Sequence, residues 1–388
     1  MLIGIDAHNL EGKRTGVGRY LFNLLREWGK LANSEWPASL SNRGELIANS
    51  RFILYFKDEI PQDLPESELF ECKLLNVGST AKFMHWDLAR VAAADKIDIL
   101  FCPAYVAPLG YRGKMALTLH DISYEARPEE FNWPSLADRF LLKWASRRAA
   151  EKTSVIFTPS EFSRQEVIKH YGVPAEKVVV TLLAVEASLS SGVDDNEAAA
   201  INAKYGLKDE FAFYIGSIFT RRHLSEVIAA FECLIKEGDY QLLLGGKDYT
   251  EGRSINKLVK KMNKKLGREA ILRVDFIAAD ELKSLYGACA FFIWLSDYEG
   301  FGLPPLEAMS LGAPVITTDG SSLSEVVGQA ALLIKDNFDV EEIFRAMHKI
   351  TRDRILREEL ILRGREQSAK FSWRECAERT LEVLMAIK

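Results

Sequence analysis

Paired cysteines, membrane-length apolar runs and net positive charge are all missing from this 388-residue chain. The five cysteines, Cys72, Cys102, Cys233, Cys289 and Cys376, are odd in number, far apart and free of C-x-x-C spacing. That excludes a disulfide framework or a zinc site, and they read as buried thiols. The start MLIGIDAHNL passes directly into a strand pattern without a basic segment and a long apolar stretch, so a cytoplasmic protein is expected. No apolar run reaches the roughly 20 residues of a membrane span. A formal net charge of −5 offers no general attraction to nucleic acid, and none is expected as a partner.

What is present is a repeated scheme. Short apolar runs alternate with longer amphipathic stretches: LIGID, RFILYF, DILF, MALTL, SVIFT and KVVVTLL, then FAFYIG, YQLLLGG, ILRVDF, AFFIWL, APVITT and AALLI. This is the pattern of parallel α/β units. The length suits two domains, so the expectation is two doubly wound, Rossmann-like sheets, residues 1–185 and 186–370. A linker from about Glu186 to Leu207 joins them, coil first and then a short helix. The segment Ala32 to Ser50 resembles a surface insertion. Doubly wound sheets bind ligands beyond the carboxyl ends of their strands, so two facing domains would form a cleft there.

The stretch SDYEGFGLPPLEAM, Ser296 to Met309, follows one strand and enters a helix. Gly300 and Gly302 let backbone approach a ligand, and the helix start offers unpaired N–H groups to a phosphate. Glu307 lies where it could accept from neighbouring hydroxyls, and Glu299 stands before the turn. Taken singly, the two glutamates also fit a solvated loop residue and a complement to the helix dipole.

Glu299 to Glu307 resembles the E-x7-E motif of the retaining GT-B glycosyltransferases of family 4. TGVGRY, TLHD, TPSEFSRQEVIKHYGVPAEKV, FYIGSIFTRRHL, SSLSEVVGQAALL and the terminal FSW follow in the family's order across nearly the whole chain. The resemblance implies a GT-B fold, with residues 371–388 forming a helix that crosses back to the first domain. It also implies that Glu307 holds nucleotide ribose hydroxyls and Glu299 donor-sugar hydroxyls. The amides around Phe301, Gly302 and Leu303 would then face sugar and phosphate.

Gly216 to His223, GSIFTRRH, follows the first strand of the second domain, and its adjacent Arg221 and Arg222 suit a nucleoside diphosphate leaving group. The family usually shows Arg-Lys-Asn here, or a lone lysine further from its arginine; Arg221-Arg222-His223 keeps the positive charge without the lysine contact, so either arginine could take the phosphate. A solvated helix start with chance arginines is the bland alternative. The resemblance implies that Gly16 and Gly18 in TGVGRY form a glycine loop that lets the first domain approach the donor diphosphate and acceptor, with a simple tight turn as the alternative; as a dinucleotide fingerprint the spacing is broken, which disfavours an oxidoreductase. His120, before Asp121 at the end of MALTL, is placed by the resemblance near the reacting sugar, although a lone histidine is more often structural. Ser160 is primarily a helix N-cap.

The expected activity is retaining transfer of a hexose, most simply mannose from GDP-mannose, to a glycan or lipid-linked saccharide. A UDP-sugar donor and a noncatalytic nucleotide-sugar-binding subunit are the alternatives. His120, Glu299, Arg221 and Arg222 are the expected catalytic groups. No Asp-x-Asp occurs, so neither a metal nor a cofactor is expected. Two basic stretches, one with Lys143, Arg147 and Arg148 and the other with Lys257, Lys260, Lys261, Lys264, Lys265 and Arg268, read as solvated faces or as contacts with an anionic membrane.

Overall fold

The computed structural model describes residues 1–32, 50–130, 135–186, 189, 194–208, 210–250 and 254–387. The insertion expected at Ala32 to Ser50 and the first part of the expected linker lie mostly outside these residues. By internal contacts the chain divides into two compact units, Met1–Leu183 with Ser372–Lys388, and Ala184–Phe371.

The first unit holds a seven-stranded sheet: β1 Leu2–Asp6, β2 Arg51–Phe56, β3 Phe70–Leu74, β4 Ile99–Cys102, β5 Lys114–Thr118, β6 Val155–Thr158 and β7 Val178–Val180. The strand order is β3-β2-β1-β4-β5-β6-β7, and every pairing is parallel. The second unit holds β8 Phe211–Ile215, β9 Gln241–Gly245, β10 Ile271–Val274, β11 Phe291–Trp294, β12 Val315–Thr318 and β13 Ala331–Ile334. Its order is β10-β9-β8-β11-β12-β13, again parallel throughout. In both sheets the chain winds one way from the first strand, then returns and continues on the other side. The reversal falls between β1 and β4 and between β8 and β11, the two positions where ligands of such sheets bind.

The apolar runs become strands because helices cover both faces of the sheet. β4, β6, β11 and β12 are buried at every residue, as parallel sheets require. β3, FECKL, was not among the expected runs. It is one of the edge strands and leaves all of its side chains partly or fully exposed, so nothing demanded an apolar sequence. Cys72 sits on it and is exposed, unlike buried Cys102, Cys289 and Cys376; the reading of all five as buried thiols is corrected there.

The helix Gly16–Ala32 buries Tyr20, Leu21, Leu24, Leu25 and Trp28, a helical stripe. Against it packs the last helix, Trp373–Ala386, which buries Cys376, Ala377, Leu381 and Leu384. The Trp28 indole N–H donates to the Ala377 carbonyl at 2.9 Å, so a residue near each end of the sequence shares one core. Ser160 caps the helix Glu161–Tyr171 by accepting from the Ser163 N–H at 3.0 Å, the structural role its position implied.

Candidate active site

In the second unit, two strand-end loops meet at the point where the sheet order reverses. After β8 the chain runs through Gly216 into a single turn, Thr220–Arg222, and then into the helix Leu224–Leu234. After β11 it runs through Ser296–Gly302 into the helix Leu303–Ser310. Because β8 and β11 are neighbours, the loops are neighbours too. The Asp297 N–H donates to the Arg221 carbonyl at 3.2 Å.

Arg222 is buried, pairs with the Glu299 carboxylate and lies 4.0 Å over the Trp294 ring. An aromatic face and a carboxylate together compensate a cation removed from water. Arg221 takes a different path and lies over the Phe219 ring at 5.0 Å, with Phe219 stacked on Tyr249. The two arginines that the sequence left interchangeable therefore occupy different surroundings. Tyr214 stacks on the other side of this cluster, 5.2 Å from Trp294. Burial pushes its hydroxyl up to about 12, although Arg222, Arg221 and Arg273 pull the other way.

The glycine-rich turn is built around Ser322, whose hydroxyl donates to the carbonyls of Glu299 (2.8 Å) and Phe301 (2.7 Å). In a planar trans peptide the following N–H points opposite to the carbonyl, so the amides of Gly300 and Gly302 are turned away from Ser322. Gly302 has φ 112°, and a Cβ there would stand 2.8 Å from Leu323; only glycine fits both conditions. Phe301 is buried against Phe371, and Leu303 opens the helix. Gly216 lies under the Trp294 ring, which would be 2.6 Å from an added Cβ.

Glu307 is buried in the helix Leu303–Ser310 and accepts a hydrogen bond from the Tyr286 hydroxyl at 3.1 Å. It is not a surface complement to the helix dipole, because it is only 3% exposed. A buried carboxylate needs donors, and Tyr286 supplies one.

In the first unit, Gly18 packs so closely on the Asn9 carbonyl that a Cβ would stand 2.3 Å from the oxygen. Gly16, by contrast, has open space around it. His120 follows β5 and sits edge-on to Tyr20 at 4.8 Å. Its Nε2 lies 3.0 Å from the Pro103 carbonyl oxygen, which can only accept, so Nε2 carries the proton. Burial lowers its pKa, with the Pro103 hydrogen bond and Asp121 opposing. The ring is therefore neutral at pH 7, and Nδ1 is an acceptor. Asp121 is engaged elsewhere, accepting from the Ser123 N–H and hydroxyl at 2.9 and 2.6 Å.

One pair escaped the sequence reading. His8 Nδ1 lies 2.6 Å from the fully buried Asp6 at the carboxyl end of β1. Burial works to lower the His8 pKa, and the Asp6 carboxylate outweighs it, leaving the ring above its ordinary value. The available signal was a charged residue closing the apolar run LIGID.

Two doubly wound units, each with polar groups gathered where its strand order reverses, define the GT-B class of sugar transferase. Residues 14–188 match the family model described as Glycosyltransferase Family 4, and residues 197–367 the model described as Glycosyl transferases group 1. O-antigen chain mannosyltransferase B of Escherichia coli is 34% identical over 388 residues, covering 95% of both chains. Among solved structures, Anabaena Alr3699/HepE in complex with UDP and glucose superposes with a TM-score of 0.72 at 16% identity, covering 100% of this chain and 99% of that one. WaaG, a glycosyltransferase involved in lipopolysaccharide biosynthesis, superposes with a TM-score of 0.71 at 16% identity, covering 100% of both. The chain belongs to the family 4 glycosyltransferases.

Proposed function

We propose that this glycosyltransferase moves mannose from GDP-mannose to a saccharide of a lipid-linked glycan, with retention of anomeric configuration. The observation that carries the sugar assignment is the full-length likeness to a mannosyltransferase of O-antigen chains. The geometry that suits the chemistry is a buried cation, Arg222, beside Glu299 at the point of strand reversal. In the proposed step the bond between the sugar C1 and the diphosphate oxygen breaks, and the acceptor oxygen bonds C1 from the same face. The acceptor's proton passes to the departing phosphate. Arg222 and the amides of the glycine turn meet the charge that develops on the leaving group. Glu299 and the neutral His120 ring orient sugar hydroxyls, and Glu307 holds the ribose.

A UDP-sugar is the second reading, favoured by HepE, which was solved with UDP and glucose. Thermal shifts with GDP-mannose, UDP-glucose and ADP-glucose separate them, because the true donor raises apparent stability by mass action. A shift with UDP-glucose and none with GDP-mannose would move the assignment. The cation is assigned to arginine, so turnover should survive EDTA; activity lost to EDTA and restored by a divalent ion would replace that part of the mechanism.

A lipid-linked acceptor implies work at an anionic membrane surface, and the two basic stretches differ in their suitability. The helix Ile255–Leu266 turns Ile255, Val259 and Met262 into the core and its lysines outward, which is an ordinary solvated face. The helix Leu136–Lys152 exposes Leu136 (82%), Phe140 (71%), Leu141 (58%) and Trp144 (45%). Leu136, Phe140 and Trp144 border a groove of about 480 Å³ that Arg139, Lys143 and Arg147 also line, with Glu125 facing the last two. Exposed apolar side chains interleaved with cations suit an anionic interface. No helix among the described residues is long and apolar enough to cross a membrane, so the proposed contact is peripheral.

A further inference from the structure

A run of polar contacts crosses the carboxyl edge of the second sheet, linking loops from four adjacent strands. His223, after β8, places Nε2 2.8 Å from Asp297 Oδ2, after β11, a close contact that is not aligned as a hydrogen bond. Asp297 Oδ1 accepts from Asn337 Nδ2, after β13, at 3.0 Å. Asn337 Oδ1 accepts from the Thr318 hydroxyl, at the end of β12, at 2.8 Å. Thr318 Oγ1 accepts in turn from the Ser296 N–H at 2.9 Å, which returns the run to the β11 loop.

His223 occupies an unusual backbone position. Its φ is 50° and its ψ 31°, in the left-handed region, where non-glycine residues are uncommon and persist because their surroundings hold them. Those surroundings are Asp297 on one ring nitrogen, Glu226 3.9 Å from the other, and the edge of Phe338 with ring centroids 4.6 Å apart. The side chain is buried.

The arginine loop is held to the glutamate loop in three ways: the Asp297 N–H to the Arg221 carbonyl, Arg222 to Glu299, and His223 to Asp297. A donor diphosphate that takes Arg222 as its partner removes the second. We propose that the His223–Asp297 pair is a positioning device that holds the Arg222 segment in place when the donor displaces Glu299. The inference rests on the reading that Arg222 meets the diphosphate. His223 itself need touch neither donor nor acceptor.

The test is a mutant cycle in the full chain, with turnover and affinity for the bare nucleoside diphosphate both measured. His223→Ala should lower kcat by about 10- to 100-fold, the scale of a displaced catalytic group, with a smaller change in donor KM. His223→Gln, whose amide nitrogen reaches about as far from the backbone as Nε2 and can donate to Asp297, should restore turnover to within about threefold of native. In an Arg222→Ala background, His223→Ala should cost less than about threefold more, because nothing remains to be positioned. Multiplying effects in the double variant, native turnover in His223→Ala, or a Gln variant as impaired as Ala would overturn the proposal. Should His223→Ala fail to fold, the Gln variant and Asp297→Ala in native and Arg222→Ala backgrounds decide by the same criteria. If Arg222→Ala turns over normally, the donor-site reading itself fails. A crippled Arg222→Ala beside an unaffected His223→Ala fails the positioning inference alone.

Discussion

Glu299 and Arg222 are paired, and that changes what each substitution should do. A diphosphate reaching Arg222 competes with a carboxylate already there. Glu299→Gln removes the competing charge, so bare nucleoside diphosphate should bind roughly three- to tenfold more tightly, about 0.7–1.4 kcal/mol. Turnover of the complete donor should fall, because the sugar loses its partner. Calorimetry measures the first and initial rates the second; weaker nucleotide binding in Glu299→Gln would show that Glu299 does not compete. For Glu307 the informative change is to glutamine, which keeps the shape and can still accept from Tyr286. Turning two charge-assisted bonds to ribose into neutral ones should cost roughly 1–2 kcal/mol, about tenfold in nucleotide affinity. An unchanged affinity would remove Glu307 from the ribose. His120 adds a pH dependence of definite sign. Its folded pKa is lowered by burial, so the unfolded chain takes up a proton first as pH falls below about 6.5, and stability declines over that range until the folded pKa is reached. His120→Asn should flatten the fall in Tm between about pH 7.5 and 5.5 relative to native, and an identical slope would contradict the assignment.

Among the elements, twelve strands announced themselves through apolar runs, the interior ones because a parallel strand covered on both faces must be apolar. β3 did not, because its side chains stay partly or fully exposed, whereas the other edge strands, β7, β10 and β13, kept apolar sequences. The same asymmetry separates the two basic helices. Lysine and arginine content marks both, but burial of Ile255, Val259 and Met262 uses up the apolar face of one, while the first turns of Leu136–Lys152 leave theirs outside. Vesicles containing anionic lipid should therefore carry the protein to the top of a flotation gradient, and purely zwitterionic vesicles should carry less. Leu136→Ser with Phe140→Ser should reduce flotation at least about fivefold, and neutralising Lys257, Lys260 and Lys261 should leave it unchanged. Flotation lost in the second variant and kept in the first would exchange the roles of the two helices.

At the scale of the whole molecule, the last helix belongs to the first unit although the second lies between them in sequence. Removing residues 372–388 exposes Trp28 and leaves its indole N–H without the Ala377 carbonyl. That should lower the unfolding temperature of the first unit by several degrees, while nucleotide binding, assigned to the second unit, persists. Lost nucleotide affinity with an intact first unit would show that the assignment of binding is wrong. The sequence by itself determined the parallel α/β class, because alternating apolar runs and amphipathic helices record burial locally. It also determined which residue types close the strand ends, since glycine at a left-handed turn and charge beside a helix start are local requirements. Only the tertiary structure decided that Arg222 and Glu299, 77 residues apart, form a pair, that His223 meets Asp297, and that Asp6 holds His8. The reason is that strand adjacency arises from pairing between distant segments: β8 lies beside β11 rather than beside β10, and no local pattern of residues states which loops that choice brings together.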